Sequence, residues 1–99
     1  MIQYVEDYAR DAVEETGMGR FDNKVEKNET AINMTPSVED LNTLVATGDN
    51  GVTILELSPF GVIGAITPST NPTETIICNG IGMIAAGNAV VFSPHPGAY

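Results

Sequence analysis

The sequence predicts an α/β fold in which a helical N-terminal part is followed by a β-α-β unit. Three observations point there. Charge is divided between the halves: eleven of the thirteen acids and all four bases lie in residues 1–50, while residues 51–99 hold only Glu56 and Glu74. The first half places apolar residues at helical spacing. The second alternates short uncharged apolar runs with glycine, proline and asparagine breaks, as expected of elements buried on several sides in a parallel sheet.

Taken in order, residues 2–16 set Ile2, Val5, Tyr8, Ala9, Ala12 and Val13 on one helical face, with Glu6, Asp7, Asp11, Glu14 and Glu15 largely opposite. Gly17 suits a left-handed stop. A second helix is expected from Phe21 to Ile32, with Glu26, Lys27 and Glu29 exposed. Thr35-Pro36-Ser37 breaks the chain, and Ser37-x-x-Asp40 before Leu41 and Leu44 is a weak helix-start signal. Residues 1–50 are therefore expected to be mainly helical. Gly48-Asp49-Asn50-Gly51 is a turn, and Val52–Leu57 reads as a strand ended by Ser58-Pro59.

Phe60–Ile66 reads as a strand covered on both faces, Thr67–Asn71 as a loop, and Pro72–Ala86 as a helix closed by Gly87-Asn88. Ala89–Phe92 reads as a second buried strand and Ser93–Gly97 as a loop. Strand, helix and strand with short connections make a parallel crossover unit. Ligands collect at the carboxyl ends of parallel strands. Those ends are the Thr67–Asn71 and Ser93–Gly97 loops, so pattern alone places a binding site there.

Composition excludes several function classes. A net charge of −9 with only four bases leaves no basic patch for nucleic acid or an anionic membrane surface. The single cysteine rules out an internal disulfide framework and fits a reducing intracellular compartment. Met1 leads straight into an acidic amphipathic stretch, unlike a signal peptide. Thr75–Tyr99 is free of charge, yet Asn79, Asn88, Ser93, His95, glycines and prolines interrupt it, so no membrane span is expected. No metal site is expected either, since no second His or Cys is spaced for ligation.

Few residues can carry chemistry. Asn71-Pro72-Thr73-Glu74 is a helix start, and Asn71 either caps that helix or turns its amide into the cleft as an oxyanion donor. Cys78 sits in mid-helix without a neighbouring His or cation, which reads as a packed, inert thiol. His95, held between Pro94 and Pro96, reads equally as a placed ligand-facing group and as an exposed loop histidine. Gly80 and Gly82 inside the helix imply close approach of a neighbour, most often the sheet. No Gly-x-Gly-x-x-Gly or phosphate-loop motif is present.

The run Val62-Ile63-Gly64-Ala65-Ile66-Thr67-Pro68-Ser69-Thr70-Asn71-Pro72-Thr73-Glu74-Thr75 resembles CoA-acylating aldehyde dehydrogenases of ethanolamine and propanediol breakdown. The likeness continues through Ile81–Ala98, including Ser93-Pro94-His95-Pro96. Upstream, Glu15–Arg20, Lys24-Val25-x-Lys27-Asn28 and Gly48–Gly51 share it. Bifunctional aldehyde-alcohol dehydrogenases share the Thr-Asn-Pro-Thr core but resemble the helix less, and rank second. Hydrolytic aldehyde dehydrogenases carry an aromatic residue and a lysine where this chain has Thr70 and Ser93, which favours the acylating branch.

The resemblance implies a partial Rossmann-like cofactor-binding domain of the aldehyde dehydrogenase fold. It implies an oxidoreductase that converts a small aldehyde, CoA and NAD to acyl-CoA and NADH through a cysteine thiohemiacetal and thioester. On that reading Asn71 is the oxyanion donor. Thr67, Pro68, Ser69 and Thr70 line the nicotinamide side, and Ser93, Pro94, His95 and Pro96 lie beside the adenosine half of NAD or CoA. The family's nucleophilic cysteine and its pyrophosphate glycine turn match no residue here. The chain is therefore expected to be a fragment, inactive alone, whose partner is the remainder of the enzyme or a full-length copy in a homo-oligomer. A different reading makes it a non-catalytic truncated module that acts by association. The family setting is cytoplasmic, including the interior of bacterial microcompartments.

Overall fold

The acidic first half begins with two helices, each of which buries one stripe of residues. A 3-10 turn at Ile2–Tyr4 runs into α1 (Val5–Thr16), and α2 (Phe21–Met34) follows. Val5, Ala9 and Ala12 are buried on α1, and Lys24, Asn28 and Ala31 on α2. These positions recur every three or four residues, so each set forms one face. Ile2 and Tyr8, expected on the buried face, are exposed. Gly17 ends α1 in the left-handed conformation at φ 64°, as expected, and its N–H reaches the Val13 carbonyl.

The structure, a computed structural model, describes residues 1–98; Tyr99, where the expected sheet segment ends, lies outside the described residues. Two expectations for residues 35–57 need correction. Ser37 and Asp40 do form a reciprocal capping box, but it closes only a 3-10 turn at Val38–Asp40. After it the chain becomes extended as β1 (Leu44–Gly48), which the mainly helical reading of residues 1–50 missed. β1 pairs antiparallel with β2 (Gly51–Leu55) through the register Leu44↔Leu55 to Gly48↔Gly51. Every residue of this hairpin is exposed, and it stretches the molecule to 61 × 24 × 19 Å.

The β-α-β unit is present as expected. β3 (Val62–Thr67) and β4 (Ala89–Pro94) are parallel neighbours joined through α3 (Pro72–Ala85). β4 runs two residues beyond the expected Ala89–Phe92, and β3 takes in Thr67. Ala65 and Thr67 are buried and Ile63 half-buried, whereas Val62, Gly64 and Ile66 are exposed. That alternation shows one covered face. The expectation of strands covered on both faces fails here: α3 supplies one layer, and among the described residues nothing lies on the other. Ile66 is 81% exposed and Phe60 94%.

Asn88 ties the unit's ends together. Its Oδ1 accepts from the backbone N–H of Phe60 at 2.6 Å and Gly61 at 3.0 Å, while its Nδ2 donates to the Met83 carbonyl. Gly87, at φ 82°, makes the left-handed turn that brings Asn88 into place. Of the two helical glycines, Gly80 faces β4, where a Cβ would lie 3.8 Å from Phe92 Cζ, an ordinary contact that does not require glycine. Gly82 faces open space among the described residues, so no close approach explains it.

Candidate functional site

The register Thr67↔Pro94 sets the two carboxyl strand ends side by side, so the Thr67–Asn71 and Ser93–Gly97 segments share one sheet edge. Each expected site residue has a distinct setting there. Thr67 is fully buried, and its hydroxyl has no hydrogen-bond partner among the described residues. Pro68 and Thr70 are exposed and Ser69 half-buried. Ser93 and Pro94 form the end of β4 rather than a loop; with His95 and Pro96 they are exposed. His95 braces its own turn: Nδ1 accepts from the Gly97 N–H at 3.1 Å, and its carbonyl accepts from Ala98.

Asn71 occupies the N-cap position of α3, yet its side chain makes no capping bond. The Asn71 carbonyl accepts the Thr75 N–H at 3.2 Å, the ordinary first bond of the helix, and also the Thr75 hydroxyl at 2.8 Å. The carboxamide is held differently. Its Oδ1 accepts from the Thr70 hydroxyl at 2.8 Å, and its Nδ2 lies 3.5 Å from Glu74 Oε2. Pinning the oxygen fixes which way the amide's N–H groups face. One of the two N–H groups remains without a partner among the described residues. Of the two sequence readings, side-chain capping is not what the structure shows.

Two buried polar residues of α2 support this corner, and the sequence marked them only as part of the family likeness. Lys24, only 6% exposed, donates from Nζ to the Thr70 carbonyl at 2.7 Å. Burial lowers its pKa, the Lys27 ammonium lowers it further, and the Glu74 carboxylate opposes both. Asn28, 1% exposed, accepts from the Thr73 hydroxyl at 3.0 Å and faces the Val5 carbonyl through Nδ2 at 3.5 Å. It thereby joins α1, α2 and the first turn of α3. Glu74 also meets Lys27 at 3.8 Å, a largely exposed pair of small energetic weight.

Cys78 lies further along α3, half-buried, where its sulfur accepts from the Thr35 hydroxyl at 3.3 Å. That contact packs it against the end of α2, away from the loop that carries Asn71. Among the described residues no group of His, Cys, Asp and Glu side chains is arranged to hold a metal ion, and no helix is long and apolar enough to cross a membrane.

Comparison with known proteins gives the corner its context. No family model matches the chain. The propanal dehydrogenase (CoA-propanoylating) of Salmonella typhimurium is 59% identical over 90 residues, which is 91% of this chain and 19% of that protein. The crystal structure of Rhodopseudomonas palustris propionaldehyde dehydrogenase, with bound CoA and an acylated cysteine, superposes with a TM-score of 0.92 at 64% identity. It covers 97% of this chain and 22% of the solved one. The chain matches one segment of CoA-acylating aldehyde dehydrogenases at high identity. It spans about a fifth of the length of the curated relatives it matches. An engineered glycolyl-CoA reductase with bound NADP+, 62% identical, superposes equally well at 0.92 over 97% of this chain. The α/β architecture expected from the sequence matches that of the aligned fifth of these solved structures.

Proposed function

We propose that this segment supplies the oxyanion donor and part of the dinucleotide-facing wall of an enzyme that converts a small aldehyde and CoA to acyl-CoA. The observation that carries the reading is the release of the Asn71 carboxamide from capping, at the sheet edge where two loops meet. An N–H left over after the Thr70 and Glu74 contacts is suited to a negative charge developing on an aldehyde oxygen. The positive end of α3, whose first turn begins beside Asn71, adds to that field.

The residues present fit a nicotinamide dinucleotide on one side. Ser69 and Thr70 offer hydroxyls on the Thr67–Asn71 loop, and the orphaned Thr67 hydroxyl beneath it is a polar group with bonding capacity to spare. Ser93, Pro94, His95 and Pro96 would wall the adenosine half of the dinucleotide or CoA. A nicotinamide held there would supply hydride acceptance. The chain's own residues hold and orient: they stiffen the loop with Pro68 and Pro72 and present an amide to the reacting oxygen. Cys78 is no candidate nucleophile, since it sits in mid-helix beside Thr35 at the end of α2, away from the loop that carries Asn71. The reaction then needs a thiol outside these residues.

The exposed hairpin supports a further part of the reading, association with a full-length copy in a homo-oligomer. Two-stranded ribbons are marginal alone and carry unpaired edges. The setting we propose is the cytoplasm, including a microcompartment interior.

The test is a chimera in which this chain replaces the aligned segment of the Salmonella propanal dehydrogenase. It should form NADH from propionaldehyde only when CoA is present. Asn71→Ala should lower kcat by roughly 100- to 1000-fold, the cost of one oxyanion donor. The 99-residue chain alone should show no turnover, with or without Cys78→Ser. An Asn71→Ala chimera as fast as its parent would remove Asn71 from the chemistry.

A further inference from the structure

Lys24 is the one charged side chain that is buried among the described residues. A buried ammonium is costly unless acceptors meet it. This one is met by a backbone carbonyl 46 positions away, that of Thr70, immediately before Asn71. The route is kept open by a glycine. A Cβ on Gly19 would lie 3.1 Å from Lys24 Cε, and Gly19 itself holds φ 84°. The lysine stem thus runs through space that a side chain at position 19 would crowd.

The bond fixes more than one atom. The 70–71 peptide is trans and planar, so holding the Thr70 oxygen also sets the opposing Asn71 N–H and the direction in which the chain enters Asn71. From there Thr70 Oγ1 and Glu74 fix the carboxamide. We propose that Lys24 is a positioning residue, reaching from α2 to hold the Thr70–Asn71 peptide so that the Asn71 amide faces the reacting oxygen. The proposal rests on the reading of Asn71 as the oxyanion donor. A charge-assisted bond suits the task because it is short and directional, and it comes from a helix rather than from the loop it steadies.

Two measurements test it and separate its failure from that of the Asn71 reading. In the chimera, Lys24→Met should lower kcat about tenfold, with Lys24→Arg recovering part of the loss, and KM for propionaldehyde should stay within about twofold. The double variant Lys24→Met, Asn71→Ala should be no slower than Asn71→Ala, because Lys24 acts through Asn71. An unchanged kcat for Lys24→Met beside a large loss for Asn71→Ala overturns the Lys24 proposal and leaves the donor standing. So does a double variant whose loss is the product of the two single losses.

If Asn71→Ala costs nothing, the donor reading has failed, and with it the catalytic purpose assigned to Lys24. Deuterium uptake in the 99-residue chain then judges the hold itself, and it does so equally if the chimera does not turn over. Lys24→Met should speed uptake across residues 67–75 about tenfold while leaving α1 unchanged. Equal uptake in that stretch shows that Lys24 does not hold the loop.

Discussion

At the scale of single residues, the site corner mixes one satisfied buried cation with one unsatisfied buried hydroxyl. Thr67 Oγ1 is enclosed and has no partner among the described residues, and such a group costs roughly 1–3 kcal/mol. Thr67→Val keeps the shape and removes the orphan, so the isolated chain should gain about 1 kcal/mol of stability in urea denaturation. A loss instead would mean that the hydroxyl has a bond in solution. Lys24 carries a pH signature. Its folded pKa is depressed, so between that value and the ordinary lysine range the unfolded chain holds more protons. Stability contributed through Lys24 therefore rises as pH climbs through that window, and the cost of burying the charge is fully present below it. Comparing melting temperatures of the chain and of Lys24→Met from neutral into alkaline pH should show the parent gaining on the variant; a constant gap would contradict the shift.

Thr67 was named from sequence only through the family resemblance, and the burial of Lys24 was not legible there. A lysine on an acidic helix reads as solvated, and Lys24 differs from exposed Lys27 only because a loop far along the chain returns to it. Asn71 was legible as a helix start but not in its orientation. The pattern Asn-Pro-Thr-Glu leaves a side-chain cap and a cleft-facing donor both open, and only the structure shows the carboxamide held by the Thr70 hydroxyl and Glu74 instead of by the helix N–H groups. Its catalytic role came from the family resemblance and is a proposal still.

Among the elements, those set by local pattern were readable. Periodicity marked α1 and α2, charge-free runs between breakers marked β3, α3 and β4, and Gly17 and Gly87 ended helices where left-handed turns occur. β1 was missed because Leu44-Val45-Ala46 follows a genuine capping box, and that signal spent itself on a single 3-10 turn. Burial on both sheet faces was also misjudged, since apolar content shows what a strand tolerates rather than what covers it. Asn88 shows how much one polar side chain can do between elements. Asn88→Ala would strand the Phe60 and Gly61 N–H groups and should cost about 2 kcal/mol by urea denaturation, with Asn88→Asp keeping part of it. A loss below about 0.5 kcal/mol would show that solvent satisfies those groups instead.

For the whole molecule, the uncovered apolar surface is the governing fact. Val62, Ile66 and Val91 on the sheet and Leu44, Val52 and Ile54 on the hairpin are all exposed. Exposed strand edges beside such patches favour pairing with another chain. The 99-residue chain should elute from size exclusion larger than its mass, increasingly so with concentration, and Val52→Lys with Ile54→Lys should shift it toward the monomer. An unshifted double variant would place the contact on the sheet face rather than the arm.

The hairpin's register has a topological consequence. Leu44 and Leu55 stand opposite each other, so the chain leaves the body and comes back at nearly the same point. The arm is in effect a detachable loop-out. Splicing it away behind a short flexible joint would leave α2 and the β-α-β unit joined with their mutual geometry unaltered. The arm's sequence could then be changed, by graft or by evolution, without disturbing the corner where Lys24 meets the Thr70 carbonyl.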